Sequence, residues 1–420
     1  MLERDCVYVS PQERLAFADR LGGKRRPVSN TIRLGEGSMR LAALVALISI
    51  NLPAQVAPWR HELAVAREEV DIASARPSLQ LGENEGLALT RVHAILPRAD
   101  GAVIVVDRGA NSLLMVKDGS VTTLGREGSG PGEYRDLVAA VILPADTIAV
   151  LDGILRRVTL LAPSGAYVRD FRVAAPFEGG GAVMRMVALG NGDLMIGFSE
   201  VTVMAPSPMP VAFMERLFVF STAGTLRRSA GLSKLSSERF VQRLPRNQGG
   251  IAYWRLAFGR ALWVRPVGAE VAVGDGSAWS VEIRHMPDGT LLGVYHLDRP
   301  VQRVSEADKE AFRQAELRNT VPSSLLMTQR MLEEMPYPAF KPAFSRLETD
   351  RRHRLWLEDY SQQSSANRLW LCIDPAERFV KQVRMPTRFR PMAFTAEGVY
   401  GIWKDPDHVE HLQFYRLKLS

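Results

Sequence analysis

Cysteine is nearly absent from this sequence, and other signals that assign a function directly are missing as well. Cys6 and Cys372 are the only cysteines, too few for a disulfide framework. The longest hydrophobic run is about a dozen residues, short of the ~20 that a membrane-spanning helix needs. The 53 basic and 46 acidic side chains are interleaved, so the clustered basic stripe of a nucleic-acid-binding protein is missing. We therefore expect no nucleic-acid partner.

The motifs of common enzymes are also missing. No serine lies in a G-x-S-x-G motif, and His61-Glu62 has no second histidine at metalloprotease spacing. The stretch GREGSGPGEY at 125–134 lacks the Lys-Ser/Thr ending of a phosphate loop and leads into a strand. His408 and His411 are three apart on an expected strand and would point to opposite faces, which disfavours a shared metal. We assign no catalytic, cofactor-binding or metal-ligating residue, and any cofactor is unknown.

The sequence does contain a repeated β pattern. Short runs rich in Val, Ile, Leu and Thr alternate with tight-turn sequences such as Asp118-Gly119 and Pro163-Ser164-Gly165. Two units of four strands are clear, at 89–124 and 137–173. Further units begin near residues 183, 260, 344 and 390. Repeated four-stranded units predict an all-β, six-bladed β-propeller, because each twisted sheet buries its faces against its neighbours.

The last unit has only three strands before the chain ends, one fewer than a blade needs. A strand-like segment at 70–81, VDIASARPSLQL, lies before the first unit and has no partner there. We therefore expect this N-terminal strand to complete the last blade, which removes an exposed sheet edge and closes the ring.

Three segments resemble the NHL-type six-bladed β-propellers of bacterial exported proteins. They are VIVVDRGANSLLMV at 103–116, GREGSGPGEYR at 125–135 and TIAVLDGILRRVTLLAPSGAYVRDF at 147–171. The resemblance implies the propeller architecture for the mature chain. The broader superfamily includes partner-binding proteins as well as lactonases and lyases built around an axial metal, so the fold alone selects no function.

The N-terminal region has the layout of a secretory signal peptide. Met39-Arg40 precedes the apolar run LAALVALISINL, and small residues follow at Ala54 and Ala57. We expect translation to start at Met39, and we divide the chain into an extension with signal peptide, 1–57, and a propeller domain, 58–420. The alternative is a buried or interfacial helix. Export predicts a secreted or periplasmic protein that is not stably inserted in a membrane after cleavage. We also expect a monomer.

Loop length separates the two faces of the expected ring. Turns joining strands one to two and three to four are short, whereas the connections on the other face hold every long insertion: 125–136, 200–215, 230–259, 298–343 and 361–366. Within 298–343, a capped amphipathic helix beginning at Ser305 and a second helix after Pro322 are expected between blades four and five. They are either a lid or a solvated flap.

A scaffold that elaborates one face carries its recognition surface there. We therefore predict a binding or scaffold module that uses the loop-rich face, with an unknown protein or small-molecule ligand. The alternative is a lactonase-like hydrolase or lyase with an axial metal held by carboxylate, Asn or His side chains. The candidate recognition residues end second strands, lie in adjoining loops or supply apolar anchors: Asp107, Asn111, Asp152, Met209, Phe213, Trp254 and Phe258. For Asp107 and Asp152, capping of the following loop is the competing role.

Overall fold

A computed structural model gives the fold. It describes residues 7–8, 57–178, 180–200, 209–243, 251–286, 288–360, 367–377, 379–386 and 388–418. These residues form an all-β structure with two α-helices, in which most strands belong to antiparallel units of four.

The first two units lie close to their expected positions. Unit 1 consists of β4 (Val92–Pro97), β5 (Val103–Asp107), β6 (Ser112–Lys117) and β7 (Ser120–Glu127). A two-residue strand, β8 (Glu133–Tyr134), pairs with β7 in the crossing to unit 2. Unit 2 consists of β9 (Leu137–Ile142), β10 (Ile148–Asp152), β11 (Arg157–Leu161) and β12 (Tyr167–Arg172). Asp118 and Gly119 join β6 to β7 with positive φ of 51° and 77°, as a type I′ hairpin requires.

Units 3 and 4 follow, and unit 3 carries an extension. Unit 3 consists of β13 (Val183–Ala188), β14 (Leu194–Glu200), β15 (Met209–Phe220) and β16 (Leu226–Arg243). The far end of β16 pairs with β17 (Ile251–Arg255), which also pairs with β1 (Val7–Tyr8). Unit 4 consists of β18 (Trp263–Val267), β19 (Glu270–Gly274), β20 (Ser280–Arg284) and β21 (Leu291–Leu297).

Units 5 and 6 complete the set. Unit 5 consists of β22 (Phe344–Thr349), β23 (Leu355–Asp359), β24 (Asn367–Ile373) and β25 (Phe379–Pro386). Unit 6 consists of β26 (Phe389–Phe394), β27 (Gly398–Lys404), β28 (Glu410–Arg416) and the N-terminal β3 (Leu79–Leu81).

The units are arranged in a ring. Their first strands contact one another in the order β4, β9, β13, β18, β22 and β26, and β26 contacts β4 again. Hydrophobic clusters lie between successive units. Ile104 and Val106 of unit 1, for example, pack with Leu137 and Ile148 of unit 2. The cluster containing Leu81, Leu412 and Val92 joins unit 6 to unit 1. Sheets that pack face to face around a common centre form a β-propeller arrangement.

The N-terminal segment differs from the expected single strand at 70–81, because it forms two strands with different partners. β2 (Trp59–Asp71) runs parallel to β21 and then to β25, and so joins the outer strands of units 4 and 5. Only β3 pairs with β28 in unit 6, where Leu81 lies opposite Leu412. The intervening residues, 72–78, contain no strand. The expected strand therefore combined the end of β2 with the whole of β3.

Two expected loops, 200–215 and 230–259, are partly strand. β15 begins at Met209, and its pairing with β16 extends as far as Val241. The loop prediction was wrong here because β15 and β16 form a long hairpin extension, in which each strand supplies backbone partners for the other.

The expected helical insertion is present. α1 (Glu306–Arg318) starts after the N-cap Ser305, which exchanges hydrogen bonds with Asp308 in a capping box. α2 (Leu325–Glu334) follows a short 3₁₀ turn at Pro322–Ser324. Neither helix, nor any other in the described part of the chain, is long and apolar enough to span a membrane.

Candidate functional site

The centre of the ring holds a cavity of about 1210 Å³. All the first strands contribute to its wall. Segments from the β16–β17 extension and from both helices line it as well. The cavity therefore extends from the loop-rich side, where the insertions lie, to the opposite ends of the first strands, where Pro97 ends β4 and His353 lies in the turn after β22.

One side of the wall is apolar. The first strands of units 1 and 2 line the cavity with Ala94, Leu96, Ala139 and Val141, which are all half-buried. Side chains of a strand alternate between the two faces of its sheet, so Ala94 and Leu96 pack toward unit 2, whereas the buried Ile95 packs toward unit 6.

The other side of the wall carries arginines. Each remaining first strand contributes one: Arg185, Arg265, Arg346 and Arg390. In total eight arginines and four acidic side chains line the cavity. Guanidinium groups stay protonated at all ordinary pH values, so this part of the wall is electropositive.

Buried carboxylates hold these arginines in place. Arg185 donates from Nε and Nη2 to the two carboxylate oxygens of Glu215, at 2.5 and 2.8 Å. The Glu215 side chain is fully buried. Arg368 donates to Oε1 of Glu358 at 2.7 Å, and the hydroxyl of Ser345 donates to Oε2 of the same carboxylate at 2.9 Å. A buried ion pair of this kind fixes the guanidinium geometry, and loss of one partner leaves an uncompensated charge.

Glu348 is shared between two arginines. Arg265 donates to both of its oxygens, at 2.6 and 2.9 Å, and Arg346 donates to Oε1 at 3.2 Å. Burial acts to raise the pKa of Glu348, but the charge of Arg265 and the hydrogen bonds from both arginines outweigh it and hold the pKa below its usual value. One carboxylate thus neutralises only one of the two guanidinium charges at this point of the wall.

The helices and the hairpin extension form a cover over the loop-rich end. Phe240, Leu256 and Met331 belong to a hydrophobic cluster that joins β16, the segment after β17, and α2. A chain of hydrogen bonds reinforces it: Trp254 Nε1 donates to Gln242 at 3.0 Å, and Gln242 Nε2 donates to Glu334 at 3.2 Å. The insertion is therefore packed against the extension, and is not a solvated flap.

Phe258 and Trp254, which we expected at the recognition surface, both lie in the cover and line the cavity. Phe258 is half-buried, has a positive φ of 57° and contacts Phe312, Tyr337 and Tyr360. Burial raises the pKa of Tyr360 to about 12, so its hydroxyl stays protonated and available as a donor. These two anchors face inward, toward the cavity.

Asp107 and Asp152 lie away from the cavity and cap loops. Asp107 is fully buried and accepts hydrogen bonds from the backbone N–H groups of Thr90, Arg91 and Gly109 at 2.8–2.9 Å. Asp152 is also fully buried and accepts from the backbone N–H groups of Arg135, in the crossing before β9, and of Leu155, in the loop after β10. Carboxylates saturated in this way have little capacity left for a ligand.

Asn111 is not among the described residues that line the cavity. Asn111 occupies a left-handed position, φ 47°, in the loop after β5. Met209 and Phe213 belong to β15, but their side chains lie outside the described residues.

The histidines form no metal centre among the residues that the structure describes, where no group of three or more His, Cys, Asp or Glu side chains could hold an ion. His93 and His353 line the cavity. His411 contacts Asp405 at 3.1 Å, and His408 lies in the preceding turn with φ 66°.

Sequence reasoning missed the arginines of the cavity wall. The available signal was a basic residue inside the first strand of four units, flanked on both sides by apolar residues in three of them, as in Met184-Arg185-Met186 and Val264-Arg265-Pro266. First strands line the centre of a propeller, so a charge there faces either a buried partner or a cavity.

A scan against protein-family models finds no match, and a search of curated proteins finds none either. Solved structures with a similar chain path do exist. A Bacteroides fragilis protein suggested to be exported is 12% identical, with a TM-score of 0.48, and covers 86% of this chain and 99% of its own. Virginiamycin B lyase from Staphylococcus aureus is 11% identical, with a TM-score of 0.42, and the match covers 79% of this chain and 98% of the lyase. Regucalcin from Agrobacterium tumefaciens, a calcium-binding protein, is 8% identical, with a TM-score of 0.38, and the match covers 85% of this chain and 95% of regucalcin. At these values the similarity assigns no activity to this chain.

Proposed function

We propose that the protein is an exported, six-bladed β-propeller that binds a small-molecule ligand in its central cavity, beneath the cover on the loop-rich side. Each four-stranded unit is one blade, and β3 completes the sixth. The observation that carries the proposal is the cavity itself, which is walled by all the first strands and covered by the packed extension and helices. Ligand sites are typically concave, largely apolar and supplied with a few fixed polar groups.

Export and the domain limits belong to the same proposal. The signal-like segment around Met39 precedes the first residue of β2, Trp59, so cleavage near Ala54 or Ala57 leaves β2 and β3 intact. The mature domain then comprises residues 58–420, an NHL-like propeller that works as a monomer without stable insertion in a membrane. The two-residue β1 is the one described strand that such processing removes.

The alternative function, a hydrolase or lyase with an axial metal, has less support. It needs several carboxylate, Asn or His ligands converging on the axis. The first strands of units 3 to 6 place arginines at the axis instead, and the carboxylates nearest to these arginines are engaged in ion pairs. This donor set fits an anion better than a cation.

Ligand screening with a cavity-filling variant tests the proposal. Thermal-shift screening with neutral, anionic and cationic compounds should give hits that calorimetry confirms as one-site binders. Ala139→Phe places a ring on the apolar wall of the cavity and should weaken those hits at least about tenfold, since the ring occupies space that the apolar part of the ligand would take. The same substitution at the exposed Ala166 is the matched control and should change nothing. Unchanged binding to a folded Ala139→Phe protein would place the site elsewhere.

A further inference from the structure

The electrostatics of the cavity are asymmetric in a way that selects among ligands. Arginines line the sectors of units 3 to 6, whereas units 1 and 2 present Ala94, Leu96, Ala139 and Val141. A ligand that lies across the cavity therefore meets cationic groups at one end and aliphatic surface at the other.

The arginines carry more charge than the neighbouring carboxylates neutralise. Arg265 and Arg346 share the single carboxylate of Glu348. Arg255 adds a further, exposed guanidinium at the cover. The Nε of Arg368 is buried and has no hydrogen-bond partner among the described residues, although its Nη1 is paired with Glu358. A cavity with surplus guanidinium charge favours an anion, because a desolvated N–H donor gains most from a charged acceptor.

The arginines are also positioned in advance. Arg346 is held from two directions, by Glu348 and by the backbone carbonyl of Pro391 at 2.7 Å. Arg185 is held by Glu215 and by the carbonyl of Leu262 at 3.1 Å. Side chains fixed before binding lose little conformational entropy when the ligand arrives, so their hydrogen bonds contribute more to affinity.

We propose that the central cavity binds an amphiphilic organic anion, with its carboxylate, sulfonate or phosphate group against the arginines and its apolar body against β4 and β9. This inference rests on the proposed function, since it names the ligand class for the same cavity. The planar guanidinium matches a carboxylate, sulfonate or phosphate through paired N–H groups. Burial of each CH₂ group against the opposite wall adds about 0.8 kcal/mol, roughly fourfold in affinity.

A pair of fluorescent probes separates the charge from the apolar body. 8-Anilinonaphthalene-1-sulfonate and N-phenyl-1-naphthylamine share the same ring system, and only the first carries a sulfonate. The protein should bind the sulfonate at least about tenfold more tightly. Increasing the salt concentration should weaken binding of the sulfonate probe and leave binding of the neutral probe unchanged. Displacement of the bound sulfonate by an alkyl carboxylate and an alkyl phosphate would show which head groups the site accepts.

Two arginine variants test the wall itself. Arg346→Gln removes a cavity charge while Glu348 keeps Arg265, and Arg255→Gln removes an exposed one, so both should fold. Each variant should bind the sulfonate probe about tenfold more weakly, and its affinity for the neutral probe should change less than about twofold. Arg346→Lys keeps the charge but not the planar fork and should show a smaller loss. Arg126→Gln, at a side chain that is 78% exposed outside the cavity, is the charge-matched control and should show none.

The outcomes separate this inference from the function on which it rests. Equal affinity for both probes, or a sulfonate affinity that is unchanged in the Arg346→Gln and Arg255→Gln variants, would overturn the anion proposal. The cavity would still stand as a binding site. Failure of both probes, together with a screen that yields no ligand sensitive to Ala139→Phe, would overturn both.

Discussion

We predict that ring closure depends on β3, and Leu81→Ala tests this prediction. Leu81 is 8% exposed, lies opposite Leu412 and packs with Ile402 and Val92 in the cluster between units 6 and 1. Truncation of a buried leucine to alanine costs about 2.7–5 kcal/mol. Because β3 is only three residues long and can relax, we expect a loss of about 3 kcal/mol, a large fraction of the ~5–15 kcal/mol stability of a typical domain.

The assay is urea unfolding followed by tryptophan fluorescence, with amide hydrogen exchange to locate the effect. Leu81→Ala should lower the denaturation midpoint with little change in its slope, and should increase exchange in β28 and β4 together. Val65→Ala, on β2 and 39% exposed, is the control and should cost less than about 0.5 kcal/mol. A loss below about 1 kcal/mol for Leu81→Ala, or faster exchange confined to residues 79–81, would show that β3 does not hold the ring together.

Further predictions concern the cover, the buried thiol and processing. Burial acts to raise the pKa of Asp308, but hydrogen bonds from Lys341 and Ser305 outweigh it and hold the pKa at about 2, below the ordinary 3.8. Stability from this carboxylate is therefore present above pH ~4 and lost as pH falls toward 2; hydrogen exchange of α1 should show this loss, and Asp308→Asn should abolish the pH dependence. Gln242→Ala should cost about 1–3 kcal/mol and loosen the cover in exchange measurements while the ring stays protected. Burial raises the pKa of Cys372 to about 12, so iodoacetamide should label it at pH 8 only after unfolding; labelling of the native protein would contradict its burial. N-terminal sequencing of the exported protein should find cleavage near residues 54–57, and an intact Met1 would contradict export.

Local sequence predicts the repeated units well because their turns are determined locally. The turn at Asp118-Gly119 requires positive φ, which few other residue pairs adopt. The side chains of the flanking strands alternate toward and away from a core. The helices were predictable for the same reason, since Ser305 and Asp308 form a capping box within one turn. In both cases the interacting residues are close together in the chain.

The N-terminal strands show where local patterns stop being sufficient. β2 pairs in parallel with β21 and β25, which lie more than two hundred residues away. The residues between β2 and β3 alternate between polar and apolar with a single break, at Ile72-Ala73. Alternation alone therefore fused the end of β2 with β3. Parallel pairing leaves no hairpin turn in the sequence to mark a boundary.

The cavity was not predictable for a related reason. Arg265 of unit 4 and Glu348 of unit 5 are 83 residues apart, so their pairing depends on the ring being assembled. Arg185 and Glu215 are 30 residues apart on the first and third strands of unit 3, so their pairing depends on that unit being folded. From sequence, nothing marks the arginines in the first strands as parts of one shared site. Asp107 and Asp152 were more conspicuous because they repeat at the same place in two motifs, but they repeat for a structural reason: each caps a loop.

Ring closure and the charge of the cavity wall meet at Val92, the first residue of β4. Its N–H donates to Oε2 of Glu410 at 2.7 Å, and its carbonyl accepts from Nη2 of Arg390 at 2.6 Å. Lys404 also pairs with Glu410, at 3.0 Å. β28, the strand with which β3 pairs, thus supplies the carboxylate that binds unit 1. β26, the first strand of unit 6, supplies the arginine. Because a buried carboxylate needs its cationic partners, opening of the seam would disturb the wall as well as the sheet. The seam between units 6 and 1, which β3 helps to cover, therefore also holds a cavity arginine.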